Sequence, residues 1–131
     1  MHRRLLLLAP LALGAAGCES VNQSASTVPP VIVFFTGDSA ALEEPALALV
    51  RGAAATAARN PGASVRVLGF AGPTGGRPFN VALSRARAEQ ISTHLTESGV
   101  AASRIRVVAR GPVEFEFAEL ESRRVEIRFG E

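Results

Sequence analysis

Between Val31 and Phe129 the hydrophobic pattern changes period each time glycine, proline or asparagine punctuates it, and this restricts the fold more than any single residue does. Val31 to Phe35 is a continuous apolar run that breaks at Thr36-Gly37, as a central strand would. From Ser39 or Ala40 to about Arg59, Leu42, Ala46, Leu49 and Ala53 fall at helical spacing, until Asn60-Pro61-Gly62 stops the pattern. Ser64 to Gly69 alternates, with Val65 and Val67 on one side and Arg66 and Leu68 on the other. Gly69 to Pro78 reads as a loop, and Asn80 to about Ser98 as a second helix closed by Gly99. Ile105 and Val107 then alternate with Arg104, Arg106 and Val108, and Val125, Ile127 and Phe129 alternate with Arg124, Glu126 and Arg128. Residues 31–131 number about 100, enough for one modest core. Strands interleaved with two helices predict one α+β domain, a two-layer sandwich whose mixed four-stranded sheet carries both helices on one face. The arginines opposite the core side of three strands predict an open, wet sheet face, readable as a docking surface or as a solvated one. Glu114 to Glu121 (EFEFAELE) alternates and then loses phase at Ala118, so the pattern assigns it no element.

What precedes Val31 is of another kind. His2, Arg3 and Arg4 form a basic start, Leu5 to Leu13 an apolar stretch, and Gly14 to Gly17 a run of small residues, the three parts of a secretory signal. The apolar stretch falls short of the roughly 20 residues that cross a bilayer. Cys18, the sole cysteine, follows Ala15-Ala16-Gly17, which resembles a bacterial lipobox. The resemblance implies removal of residues 1–17 and acylation of Cys18; a plain secretory signal with an odd cysteine nearby is the alternative. Glu19 after the cysteine implies, by the same analogy, the periplasmic face of the outer membrane. Cys18 to Pro30 is small, polar and ends in two prolines, the composition of a flexible tether.

Composition removes several functions. All fourteen basic residues are arginine, and without Arg3 and Arg4 acids and bases are equal in number. A neutral domain does not suit a nucleic acid, whose binding needs a basic excess. One cysteine and two histidines do not make a zinc site, and a single aspartate does not make a calcium loop, so no metal or cofactor is expected. No nucleophile and acid can be placed around His94, and Glu114 and Glu116 do not form a cleft, so the chain is expected not to be an enzyme. Tryptophan and tyrosine are absent, which leaves no amphipathic aromatic platform for sugar rings.

Gly69 to Ala88 reads GFAGPTGGRPFNVALSRARA, and Gly75, Asn80, Leu83, Ser84, Arg87 and Ala88 fall on the spacing T-D-x-x-G followed by N-x-x-L-S-x-x-R-A. This resembles the signature of the OmpA-like peptidoglycan-binding domain. The resemblance covers Val31 to Phe129 and implies a β-α-β-α-β-β order. It further implies a non-covalent tether between outer membrane and cell wall that grips the diaminopimelate of the peptidoglycan stem peptide. The loop's acid is missing here: Gly72 stands in the aspartate's place.

A diaminopimelate end carries an ammonium and a carboxylate, so it needs an acidic acceptor and a donor fork, which arginine supplies in bidentate form. By the resemblance Arg87 reads the carboxylate, and Asn80 and Thr74 line the pocket. From spacing alone, Arg87 lies on the sheet-facing stripe between Leu83 and Ile91, where an arginine needs an acidic partner or ligand unless it snorkels at the helix edge. Asn80 also suits a helix N-cap, and Thr74 a turn hydroxyl. Asp38, the chain's one aspartate, is the candidate for the ammonium, with an N-cap of the first helix as the alternative. With Gly72 in the loop, a degenerate envelope module that binds other proteins rather than the wall is the rival function.

Overall fold

A computed structural model describes residues 28–130. The expectations for residues 1–17, for Cys18 and for most of the tether lie outside the described residues. The elements run β1 (Val31–Phe34), α1 (Ala46–Arg59), β2 (Val65–Ala71), α2 (Arg77–Glu97), β3 (Ile105–Pro112) and β4 (Arg124–Phe129), with short 3-10 turns at Ala102–Arg104 and Glu119–Ser122. The sheet order is β1-β4-β2-β3; β4 is antiparallel to both neighbours, and β2 and β3 are parallel. The α+β sandwich is therefore as expected, with one core between sheet and helices. Val33, Val65, Val67, Val125, Ile127 and Phe129 supply the sheet side of that core.

The first helix begins later than its composition suggests. Glu44 precedes Pro45, and the residue before proline is pushed out of the α region, so helix forms only from Ala46. Its buried stripe is Val50, Ala53, Ala54 and Ala57, while Leu49 is exposed. Leu42 packs on the core from the preceding loop instead. The second helix begins earlier than expected, at Arg77, with Pro78 in the first turn, where a missing N–H costs nothing. Strand β2 correspondingly runs on to Ala71.

Arg104 is another departure. Rather than lying on the open sheet face, its Nη2 donates to the carbonyls of Ala57, Asn60 and Ala63 at 3.0, 2.8 and 2.9 Å. These carbonyls lie at the end of α1 and in the turn after it, where the acceptors have no intrahelical partner or only one turn bond (Asn60 N–H to Ala57 and Ala63 N–H to Asn60). A nearby cation also suits the negative end of the helix.

Close approach of α2 to the sheet depends on small residues. A Cβ at Gly69 would lie 1.9 Å from the Ser84 carbonyl oxygen, so no other residue fits there without moving the helix. The Ser84 hydroxyl, fully buried, donates to the Val81 carbonyl at 2.7 Å and accepts from the Gly111 N–H at 3.0 Å. Gly111, at φ +75°, sits where the β2–β3 register shifts: Gly69 faces Ala109 and Phe70 faces Gly111, leaving Arg110 as the inserted residue.

Candidate functional site

At the C-terminal end of β2, one cleft gathers residues from four separate segments. Gly37 and Asp38 come from the β1–α1 loop, and Gly72, Pro73 and Thr74 from the β2–α2 loop. Asn80 comes from the start of α2, and Phe115, Glu119, Ser122 and Arg123 from the approach to β4. As it stands the cleft is narrow, about 30 Å³, well below the roughly 300–1,000 Å³ typical of small-molecule sites.

Three of the four expected residues meet there: Asp38, Thr74 and Asn80. Asp38 is exposed and far ahead of α1, so it is not that helix's N-cap. Asn80 lies inside α2, whose N-cap is Gly76, and its Nδ2 donates to the Thr74 carbonyl at 2.9 Å. That bond, made by a side chain only 2% exposed, fixes the loop that forms one wall of the cleft.

Arg87 does not line the cleft. It is wholly buried, on the sheet-facing stripe its spacing predicts, and does not snorkel. Its Nε donates to the Ser39 carbonyl at 2.8 Å, Nη1 to Phe70 at 3.1 Å and Nη2 to Gly37 at 2.7 Å, and the guanidinium carbon lies 5.2 Å from the centre of the Phe35 ring. The need for partners that burial imposes is thus met by backbone carbonyls rather than by an acid. Burial holds its pKa below the ordinary arginine value; Arg123 acts in the same direction, and Asp38 opposes both. In this conformation Arg87 ties the Gly37–Ser39 loop, and with it Asp38, to the end of β2.

The cation at the cleft is Arg123, which sequence reasoning missed. Its carbonyl accepts from the Phe35 N–H at 2.8 Å, extending the β1–β4 pairing by one step. Its Nη2 meets Glu119 Oε2 at 2.7 Å, with both side chains partly exposed. An ion pair of that kind is worth about 0–1 kcal/mol, so an incoming carboxylate can displace Glu119. A signal for Arg123 did exist. Arg123 and Arg124 are adjacent, consecutive side chains in extended chain point to opposite faces, and so only one of them can belong to the open face. Ser122, also missed, is fully buried, donates to the Glu119 carbonyl at 2.7 Å, and stands 3.3 Å from where a Cβ on Gly72 would be. His94 is a boundary residue, its Nδ1 3.2 Å from Glu97 Oε2, remote from these groups in the chain and absent from the cleft lining.

The elements thus form an α+β sandwich with a cleft of mixed charge at one end of its sheet. The chain belongs to the OmpA family, whose model matches residues 34–124. It is 36% identical over 83 residues to the probable lipoprotein YiaD of Escherichia coli (strain K12), covering 63% of this chain and 38% of that protein. It is 33% identical over 101 residues to the peptidoglycan-associated lipoprotein of Legionella pneumophila, covering 72% of this chain and 57% of that protein. The matches thus span well under two thirds of either relative. Among solved structures, the peptidoglycan-associated lipoprotein from Burkholderia pseudomallei superposes with a TM-score of 0.70 at 23% identity, covering 82% of this chain and 97% of that one. The C-terminal domain of Helicobacter pylori MotB does so with a TM-score of 0.67 at 20% identity, covering 79% and 85%. At those identities the structural likeness establishes the fold.

Proposed function

We propose that this chain is a peptidoglycan-binding lipoprotein that holds the outer membrane to the cell wall, and that it is a binding module rather than an enzyme. Acylation of Cys18 after removal of residues 1–17 supplies the membrane end, and the cleft supplies the wall end. The observation that carries the reading is the placing of Asp38 and Arg123 on one cleft in a chain of this family. An ammonium and a carboxylate on one carbon require that pairing, and the free end of a stem-peptide diaminopimelate presents it. Asp38 accepts from the ammonium, and Arg123 exchanges Glu119 for the ligand carboxylate. The role the family resemblance implies for Arg87 passes to Arg123, while Arg87 positions the loop that carries Asp38.

The test is co-sedimentation of the detergent-solubilised full chain with purified sacculi. Wild type should sediment and be released by free diaminopimelate. Arg123→Ala, which removes one charged hydrogen bond of about 1.5–3 kcal/mol, should bind roughly ten- to a hundred-fold more weakly. A second reading, a domain that keeps the fold and binds other envelope proteins instead, is favoured by Gly72 and by the complete burial of Arg87. Wild type that stays in the supernatant at every sacculus concentration would exclude the first reading and support this one.

A further inference from the structure

The sheet face turned away from the helices is strongly and unevenly charged. Arg66 pairs in register with Arg106 on one side and Arg128 on the other, so three arginines lie in one row across three strands. Arg110, inserted at the register shift, and Arg124 add two more; Glu114, Glu116 and Glu121 lie at the Arg124 end of the face, and the acid among the strands is Glu126. That carboxylate is already engaged by Arg124 and Arg128. Among the described residues the Arg66 side chain reaches only the Gly130 carbonyl, and the side chains of Arg106 and Arg110 make no hydrogen bond or ion pair. Like charges directly opposite one another in a sheet are destabilising, and here they line a groove whose base, Leu68 and Phe70, is itself buried, with the Arg124 guanidinium 4.2 Å from the centre of the Phe70 ring. A surface of this build fits an acidic partner that also brings an aromatic ring on which the guanidiniums can stack.

The same chain presents that complement. Phe117 is 84% exposed, the most exposed large apolar residue described, and Glu114, Glu116 and Glu119 around it are exposed as well. The segment is held in shape: the Glu121 carboxylate accepts from the backbone N–H groups of Glu116, Phe117 and Ala118 at 3.0, 3.2 and 3.3 Å. Such exposure shows that Phe117 does not fill its own chain's groove, and a large exposed apolar residue rimmed by charge marks an interaction site. We propose that the outer sheet face receives residues 114–121 of a second copy of this chain, with the Phe117 ring in the groove among Arg66, Arg110 and Arg128 and the Glu114 and Glu116 carboxylates against Arg106 and Arg110. The receiving face shares no residue with the cleft, and although the inserted segment carries Phe115 and Glu119 of the cleft wall, the residues changed below, Arg106, Arg110, Glu114 and Glu116, do not line it, so the two contacts can be tested apart.

The experiment uses two full-length copies with different tags, co-expressed and co-purified after detergent extraction. Wild-type copies should recover each other, and raised salt should weaken recovery, since the attraction is between exposed charges. Arg106→Glu with Arg110→Glu in both copies should lower recovery by about tenfold or more, as should Glu114→Arg with Glu116→Arg in both. Placing the first pair in one copy and the second in the other restores one matched contact with each sign reversed and one native contact, so recovery should return. That rescue also shows both variants to be folded. No recovery between wild-type copies, or recovery unaffected by either pair of substitutions, overturns the proposal. So does failure of the mixed variants to restore recovery when each variant's thermal melt matches wild type, and the arginine face then serves a different anionic partner.

Discussion

The two halves of the buried face of α2 are built on opposite principles. Toward its C-terminal end, Ala88, Ile91 and Leu95 meet the sheet as an apolar interlock, held by the removal of hydrocarbon from water. Toward its start, Asn80, Ser84 and Arg87 are just as buried but polar, and each is hydrogen-bonded to backbone outside its own turn of helix: to Thr74, to Gly111, and to Gly37, Ser39 and Phe70. Apolar contacts are non-directional and set a distance. The polar contacts set the path of particular loops, and those loops are the walls of the cleft. One half therefore fixes the fold and the other fixes the site.

The largest expected effect comes from breaking the polar half at its centre. Arg87→Ala leaves three carbonyls without a donor and a large void, a loss of about 4 kcal/mol or more by urea denaturation. Arg87→Lys, which keeps the charge but replaces the fork with one nitrogen, should recover only part of that stability. A melt unchanged by Arg87→Ala would mean that the guanidinium is not holding the loops. In the apolar half, Ile91→Ala should cost about 2–5 kcal/mol. Its consequence for the site should differ: below its lowered melting temperature, sacculus affinity should stay within about threefold of wild type, since no cleft residue is touched. A large loss of affinity in the folded Ile91→Ala variant would show that the two halves are not separable. The smallest effect on stability is expected of Gly72→Asp. Its Cβ meets the Ser122 hydroxyl at 3.3 Å, tight but not backbone, for a cost of about 1 kcal/mol. The added carboxylate faces the cleft beside Asp38 and should raise sacculus affinity by about tenfold.

The same division explains what could be read from the chain. The apolar half was visible as periodicity, and so were the alternation of β2, β3 and β4 and the sheet-facing stripe of Leu83, Arg87 and Ile91. Boundaries failed where a local rule overrode the pattern: Pro45 delays α1, and Gly69 to Ala71 continue a strand although glycine and loop chemistry follow. The polar half was visible as residue types without partners. Arginine on a buried stripe demands acceptors, but spacing does not say whether a ligand or the backbone supplies them. Arg104, read as part of the open face, was drawn to the end of α1 by the same demand. Arg123 was hidden because its place depends on β1 pairing with β4, a contact between residues nearly a whole domain apart in the chain.

The proposed wall-binding role of the cleft is tested most directly by Asp38→Asn, an isosteric change at an exposed residue that removes one negative charge and no hydrogen bond of the fold. Measured on the detergent-solubilised full chain, the melting curve should overlay that of wild type, and sacculus affinity should fall roughly ten- to a hundred-fold. Equal affinity for the two proteins would contradict the assignment of Asp38 to the ligand ammonium, and with it the reading of this cleft as the wall site.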